Sequence, residues 1–175
     1  MNQHQADAYD ASAGAVTQAD YDRKPRFLKI SATGEAMAAD ATGHAAVLDR
    51  STGLMWAAIE MPRRGNHAKC LKFCENLELA GFKDWRMPTR AELLSLVDDT
   101  RHSPAIDTGL FPGCKSDWYW TSTPWAQSPS GNAWYVFFSD GDAGYGNHGY
   151  YGFVRAVRPG QSLVIGSAKD AQVRS

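Results

Sequence analysis

Hydrophobic and polar positions divide the chain into three blocks with different spacing. Between 27 and 58, short apolar runs alternate with small polar residues. Phe27-Leu28-Lys29-Ile30 predicts a first strand, and Ala46-Val47-Leu48-Asp49 a second. Leu54-Met55-Trp56-Ala57-Ala58 predicts the return strand of a hairpin, across a turn at Arg50-Ser51-Thr52-Gly53. From 66 onward the period lengthens. Cys70, Leu71, Cys74 and Leu77 fall on one side of a helix expected over 66–80, with Asn66 as N-cap and Gly81 as the residue that ends it. Thr89-Arg90-Ala91-Glu92 is a capping box and opens a second helix, whose buried side is expected from Leu93, Leu94, Leu96 and Val97. Residues 100–112 carry Pro104 and Pro112 and predict irregular backbone.

The third block, from Trp118 to Arg158, is where the aromatic residues gather. It holds four of the six tryptophans, Trp118, Trp120, Trp125 and Trp134, and five tyrosines, Tyr119, Tyr135, Tyr145, Tyr150 and Tyr151. Gly, Ser, Asn and Asp lie between them, which predicts strands over 118–121, 133–138 and 152–157 joined by tight loops. Asp140-Gly141-Asp142 reads as a turn. The Gly-rich piece 145–150 is too poor in side chains for a central strand and predicts a loop or an irregular edge. The order is strands, two helices, then strands, which is an α+β pattern.

Composition narrows the function classes. A chain of 175 residues suits one domain with extended ends, expected here as an arm over 1–24, a domain over 25–160 and a tail over 161–175. Leu163-Val164-Ile165 in the tail could add an edge strand. The arm is mostly Ala, Asp, Gln and Ser and cannot bury enough surface to offset its own ordering, so it is expected to be mobile. The formal net charge is -1 with no basic run, which argues against nucleic acid as a partner. No apolar stretch approaches a membrane span, and the N-terminus lacks the basic and apolar regions of a signal peptide. The expected location is therefore the cytoplasm at synthesis, with association to a virion as an option.

Cys70, Cys74 and Cys114 do not make a disulfide framework, because the count is odd and the chain is large, and burial as small hydrophobes is the expected role of the 70/74 pair. His67 beside them does not complete a metal set. Asp140 and Asp142 offer two carboxylates, but an Asp-Gly turn uses that residue type without any ion. His102 and His148 stand alone, and no phosphate-binding or dinucleotide fingerprint is present. The expectation is no catalytic group, no metal and no cofactor.

Trp85-Arg86-Met87-Pro88-Thr89-Arg90-Ala91-Glu92-Leu93 resembles the central signature of the DUF1566 domains, the Lcl C-terminal domain family. The flanks agree over about residues 25–158: Val47-Leu48-Asp49-Arg50-Ser51-Thr52-Gly53-Leu54-Met55-Trp56, Tyr119-Trp120-Thr121-Ser122-Thr123, Ala133-Trp134-Tyr135-Val136 and Val154-Arg155-Ala156-Val157-Arg158. The resemblance implies a C-type-lectin-like fold, with two helices packed on short, mostly antiparallel strands. That fold is shared with variable proteins of diversity-generating retroelements and with the formylglycine-generating enzymes. It also implies association with phages or bacterial adhesins.

In such proteins the ligand face is built from the last strands. Carried over, that face comprises Trp118, Tyr119, Trp125, Asn132, Trp134, Asp140, Asp142, Tyr145, Asn147, His148 and Tyr150. Trp134 and Val136 share one side of a strand, Tyr135 and Phe137 the other, and the sequence does not say which is wet. The signature residues Trp85, Arg86, Pro88, Thr89 and Glu92 have capping and packing roles that need no chemistry. Three functions follow from the resemblance. One is a recognition module for a protein or glycan target. Another is a phage tail or decoration protein docking to virion or surface proteins through its terminal arms. The last is an enzyme of the formylglycine-generating kind, from which the cysteine placement departs.

Overall fold

The structure, a computed structural model, describes residues 25–160. The expected arm over 1–24 and tail over 161–175, with its strand at Leu163-Val164-Ile165, lie outside the described residues. The described body is α+β, with two small antiparallel sheets and two short helices. The first sheet has the order β1 (Phe27–Ile30), β2 (Ala46–Asp49), β3 (Leu54–Ala57) and β7 (Val157–Pro159). The second is β4 (Trp118–Pro124), β5 (Asn132–Phe137) and β6 (Ala143–Asn147). Between them in sequence come α1 (His67–Glu75) and α2 (Arg90–Leu94).

Both sheets bury side chains on both faces. In β2, Ala46 and Leu48 join one core cluster and Val47 the other; in β3, Met55 and Ala57 divide from Trp56 in the same way. The first cluster continues through Ile30, Cys70, Cys74, Trp85 and Trp120, the second through Leu93, Ile106, Phe111, Tyr119 and Val136. This is why β2 and β3 read as unbroken apolar runs and not as alternation.

Local signals behave as their chemistry demands. Gly53 takes φ 70 in the hairpin turn, and its amide donates to the Asp49 carbonyl at 2.8 Å. The Asn66 side chain accepts from the Lys69 amide at 3.0 Å. Thr89 accepts from the Glu92 amide at 3.2 Å while Glu92 accepts from the Thr89 amide at 2.8 Å, which completes the capping box. The Arg86 guanidinium grips the same carboxylate with two bonds of 2.8 and 2.7 Å.

Three expectations are corrected. The first helix stops at Glu75, well before Gly81. The Leu79 and Phe82 backbones exchange both hydrogen bonds at 3.0 Å across Ala80 and Gly81, so those amides are no longer available to a helix. The Trp85 indole donates to the Leu79 and Phe82 carbonyls at 3.2 Å and pins that turn. Second, α2 buries Leu93 alone; Leu96 is buried beyond its end, and Leu94 and Val97 are half-buried. Third, 152–157 is not a strand along its length. Its backbone meets a different neighbour at each step: Gly152 pairs with Gly65, Phe153 with β4, Ala156 with Ala57 and Val157 with Arg86. The segment is a buried seam between the two sheets, and only Val157–Pro159 runs in a ladder.

Arg155 and Arg158 leave this seam pointing inward. Arg155 is fully buried, donating to the Ala57 and Ala58 carbonyls at 2.8 Å each and to Glu60 at 3.3 Å. Arg158 holds Asp84 with bonds of 2.6 and 3.1 Å and lies 3.7 Å over the Phe82 ring. Both serve the fold.

Candidate functional site

The second sheet carries the candidate site. Its register sets Trp118 opposite Phe137 and Trp120 opposite Tyr135, so these four rings share one face. Across β5 and β6, Tyr135 is opposite Gly144 and Ala133 opposite Gly146. The glycines explain why so sparse a segment can be a strand. A Cβ on Gly144 would lie 2.6 Å from the Tyr135 hydroxyl oxygen, and one on Gly146 would lie 3.3 Å from the Tyr150 ring and 3.4 Å from that of Tyr135. The rings occupy the space that side chains on β6 would fill. Of the piece 145–150 expected as a loop or irregular edge, 148–150 form a turn, while 145–147 belong to a regular edge strand over Ala143–Asn147, bare on one side so that aromatic rings can cross it.

A cleft of about 370 Å³ opens on this face. Trp118, Tyr135, Phe137 and Tyr150 supply its rings, and Asp140 and Asp142 sit at its lip. The turn carrying the two carboxylates holds Gly141 at φ 89, with Val97 so close that a Cβ would meet it at 2.5 Å. Trp118 packs edge-on against Tyr135 at 4.7 Å between ring centres and against Trp120 at 5.0 Å. Tyr150 stands out from the surface at 61% exposure.

The opposite face of the sheet holds a second aromatic group. Trp125 stacks on Tyr145 at 4.0 Å with the rings 6° from parallel, and Tyr145 meets Trp134 edge-on at 5.8 Å. The Arg90 guanidinium, at the start of α2, covers Trp134 at 3.8 Å. Tyr145 is 48% exposed and also borders the cleft, so it joins the two groups around the free edge. Among the described residues, the exposed large hydrophobics are Ile59, Tyr145, Tyr150 and Tyr151, three of them from this region.

The residues expected to face a ligand therefore divide. Trp118, Asp140, Asp142, Tyr145 and Tyr150 come together around the cleft. Trp125, Trp134 and Asn132 belong to the other face, all half-buried. Asn147 is exposed at the end of β6, where its side chain accepts from the Gly149 amide at 2.8 Å. His148 is half-buried and stacks on His67, 4.4 Å between ring centres. Burial lowers the His67 pKa, and its Nε2 lies 2.9 Å from the Thr121 carbonyl oxygen. Tyr119 needs correction: it is fully buried and has no part in a face. Its hydroxyl donates to the Glu60 carboxylate and accepts from the Lys115 amide at 2.8 Å, and burial pushes its pKa up. Alternation along β4 puts it under the sheet, between Phe138 and Phe153.

Tyr135 and Phe137 are the cleft residues that sequence reasoning left unassigned. The signal for them was the Gly-x-Gly spacing of 144 and 146, since glycines on one side of a strand mark a surface that something else covers. The cysteines lie away from the cleft. Cys70 and Cys74 are buried on α1, and burial pushes both thiols up to about 12. Cys114 is buried against the Tyr119 hydroxyl at 3.4 Å.

A family model described as the Lcl C-terminal domain matches residues 45–158, which takes in α1, α2 and the whole of the second sheet. Against curated proteins the chain has no match.

Proposed function

The chain belongs to the Lcl C-terminal domain family, and from that premise we propose that it is a non-catalytic recognition domain with a C-type-lectin-like fold. The observation that carries the proposal is the ring-lined cleft on the β4–β5–β6 sheet, flanked by exposed Tyr145 and Tyr150. Rigid aromatic rings give large contact area at little entropic cost, and the carboxylates beside them orient a partner. The scaffold suits that use. Two buried arginines, a capping box and a turn pinned by Trp85 brace the body that carries the cleft sheet. The thiols support a non-catalytic reading, because a buried group held near 12 is almost wholly protonated at neutral pH and is a poor nucleophile. The target is a protein or glycan displayed on a surface, and the resemblance to phage and adhesin proteins favours a surface met during attachment.

The test is a glycan and surface-protein array probed with the wild-type chain and with Tyr145→Ala/Tyr150→Ala. Both side chains are about half exposed or more, so the fold should be kept, with Tm falling by no more than a few degrees as the Trp125–Tyr145 stack is lost, while array binding is abolished. Equal binding by the two proteins, or no binding by the wild type, would refute the assignment.

A further inference from the structure

We propose that the β4–β5–β6 cleft takes an organic cation, an alkylammonium group carried by the target; this rests on the cleft being the recognition surface. The inference comes from the sign of every charge in it. Asp140 and Asp142 are its charged residues, both exposed at the lip, and among the described residues no Lys, Arg or His lines it. Neither carboxylate forms an ion pair among the described residues. The Asp140 Oδ1 accepts from the Asp142 amide at 3.2 Å, and a single long bond from a neutral amide does not neutralise the carboxylate.

The walls add to the same potential. Trp118, Tyr135, Phe137 and Tyr150 line the cleft, and the face of an aromatic ring carries the negative end of its quadrupole. Trp118 already attracts one cation: the Arg64 guanidinium carbon lies 5.8 Å from its ring centre, and Arg64 is paired with Asp117 at 3.1 Å. A low-dielectric cleft with one sign of charge concentrates the opposite sign. A volume of about 370 Å³ lies at the small end for ligand sites and suits a head group or a single side chain. A sulfated or carboxylated sugar would meet two carboxylates there, and the nearby Arg64 is already paired with Asp117.

The experiment is an NMR titration of the full chain, following the Trp118 indole and the Gly144 and Gly146 amides. Three probes are compared: choline, its neutral carbon isostere 3,3-dimethylbutanol, and Nα-acetyl-lysine amide. One or both cations should bind about tenfold more tightly than the isostere, and added salt should narrow the gap. Preference for choline assigns a quaternary head; preference for the lysine probe assigns a basic peptide. Asp140→Asn/Asp142→Asn should abolish the advantage, because the amides keep the turn and remove the charge. Tyr150→Ala should weaken both cations. If the isostere binds as tightly as the cations, or neither cation shifts the cleft resonances, the cation assignment is overturned. The array result stands apart from this, so loss of charge preference with array binding intact removes the cation and leaves the recognition surface.

Discussion

Gly144→Ala tests the packing that makes the cleft. Two effects oppose each other. In an ordinary strand, replacing Gly by Ala stabilises by about 0.5–1 kcal/mol, because glycine has more chain entropy to lose. Here the new Cβ would lie 2.6, 2.7 and 2.9 Å from the Tyr135 hydroxyl oxygen, Cζ and Cε2, closer than real Cβ contacts allow. Trp118 at 4.7 Å and Trp120 at 6.3 Å between ring centres block the ring on their side, so it can retreat only into the cleft, away from the packing it makes there. Overpacking of this kind costs about 1–3 kcal/mol. The clash should win by about 1 kcal/mol (range about 0–2.5), a fall of a few degrees in Tm for a domain of this size. Gly131→Ala is the control: its nearest neighbour is the Ser128 hydroxyl at 3.2 Å, which can rotate away. Thermal unfolding followed by near-UV circular dichroism reads both stability and ring packing. A double-mutant cycle with Tyr135→Ala should show strong coupling, because the three atoms nearest the added methyl all belong to that ring. A Gly144→Ala protein that melts above the wild type with unchanged aromatic signal would refute the reasoning.

Three further predictions concern the scaffold. The Arg86 guanidinium, aided by the Thr89 amide, holds the Glu92 carboxyl at about 2 against an ordinary value of 4.5, with burial opposing. A lowered folded-state value means that its stabilisation is present above pH of about 4.5 and is lost as pH falls through about 2. The Tm gap between wild type and Glu92→Gln should therefore close over that window, and a constant gap down to pH 2 would contradict the assignment. Arg155→Met should cost about 3–5 kcal/mol in urea unfolding, because it strands the Glu60 carboxylate and two backbone carbonyls. Lys83→Met, at an exposed pair with Glu78, should change stability by less than about 1 kcal/mol; equal effects would dissolve the distinction. Ellman's reagent at pH 8 should leave Cys70 and Cys74 unlabelled in the native chain and label them in denaturant, since burial pushes both thiols up to about 12. Rapid labelling of the folded protein at those positions would show that α1 opens.

The features legible along the chain are those whose partners lie within a few residues. Thr89 and Glu92 close their capping box across three positions, Asn66 meets the Lys69 amide, and Gly53 and Gly141 take the positive φ their turns need. Such contacts depend on local backbone geometry, so residue type and spacing are enough to see them. The α+β order and the family signature are legible for the same reason, as sums of local patterns. Burial across a sheet is another matter. Tyr119 and Trp118 are neighbours of the same chemical type, yet one is sealed beneath Phe138 and Phe153 and the other lines the cleft. Alternation puts them on opposite faces, but which face is covered depends on residues far away in sequence. The seam over 152–157 makes the point for the backbone: an apolar run that could have formed one strand is divided among Gly65, β4, Ala57 and Arg86 by where the two sheets meet. The cleft likewise exists only because a bare strand lies beside an aromatic one, and the pairing of Tyr135 with Gly144 belongs to the assembled sheet.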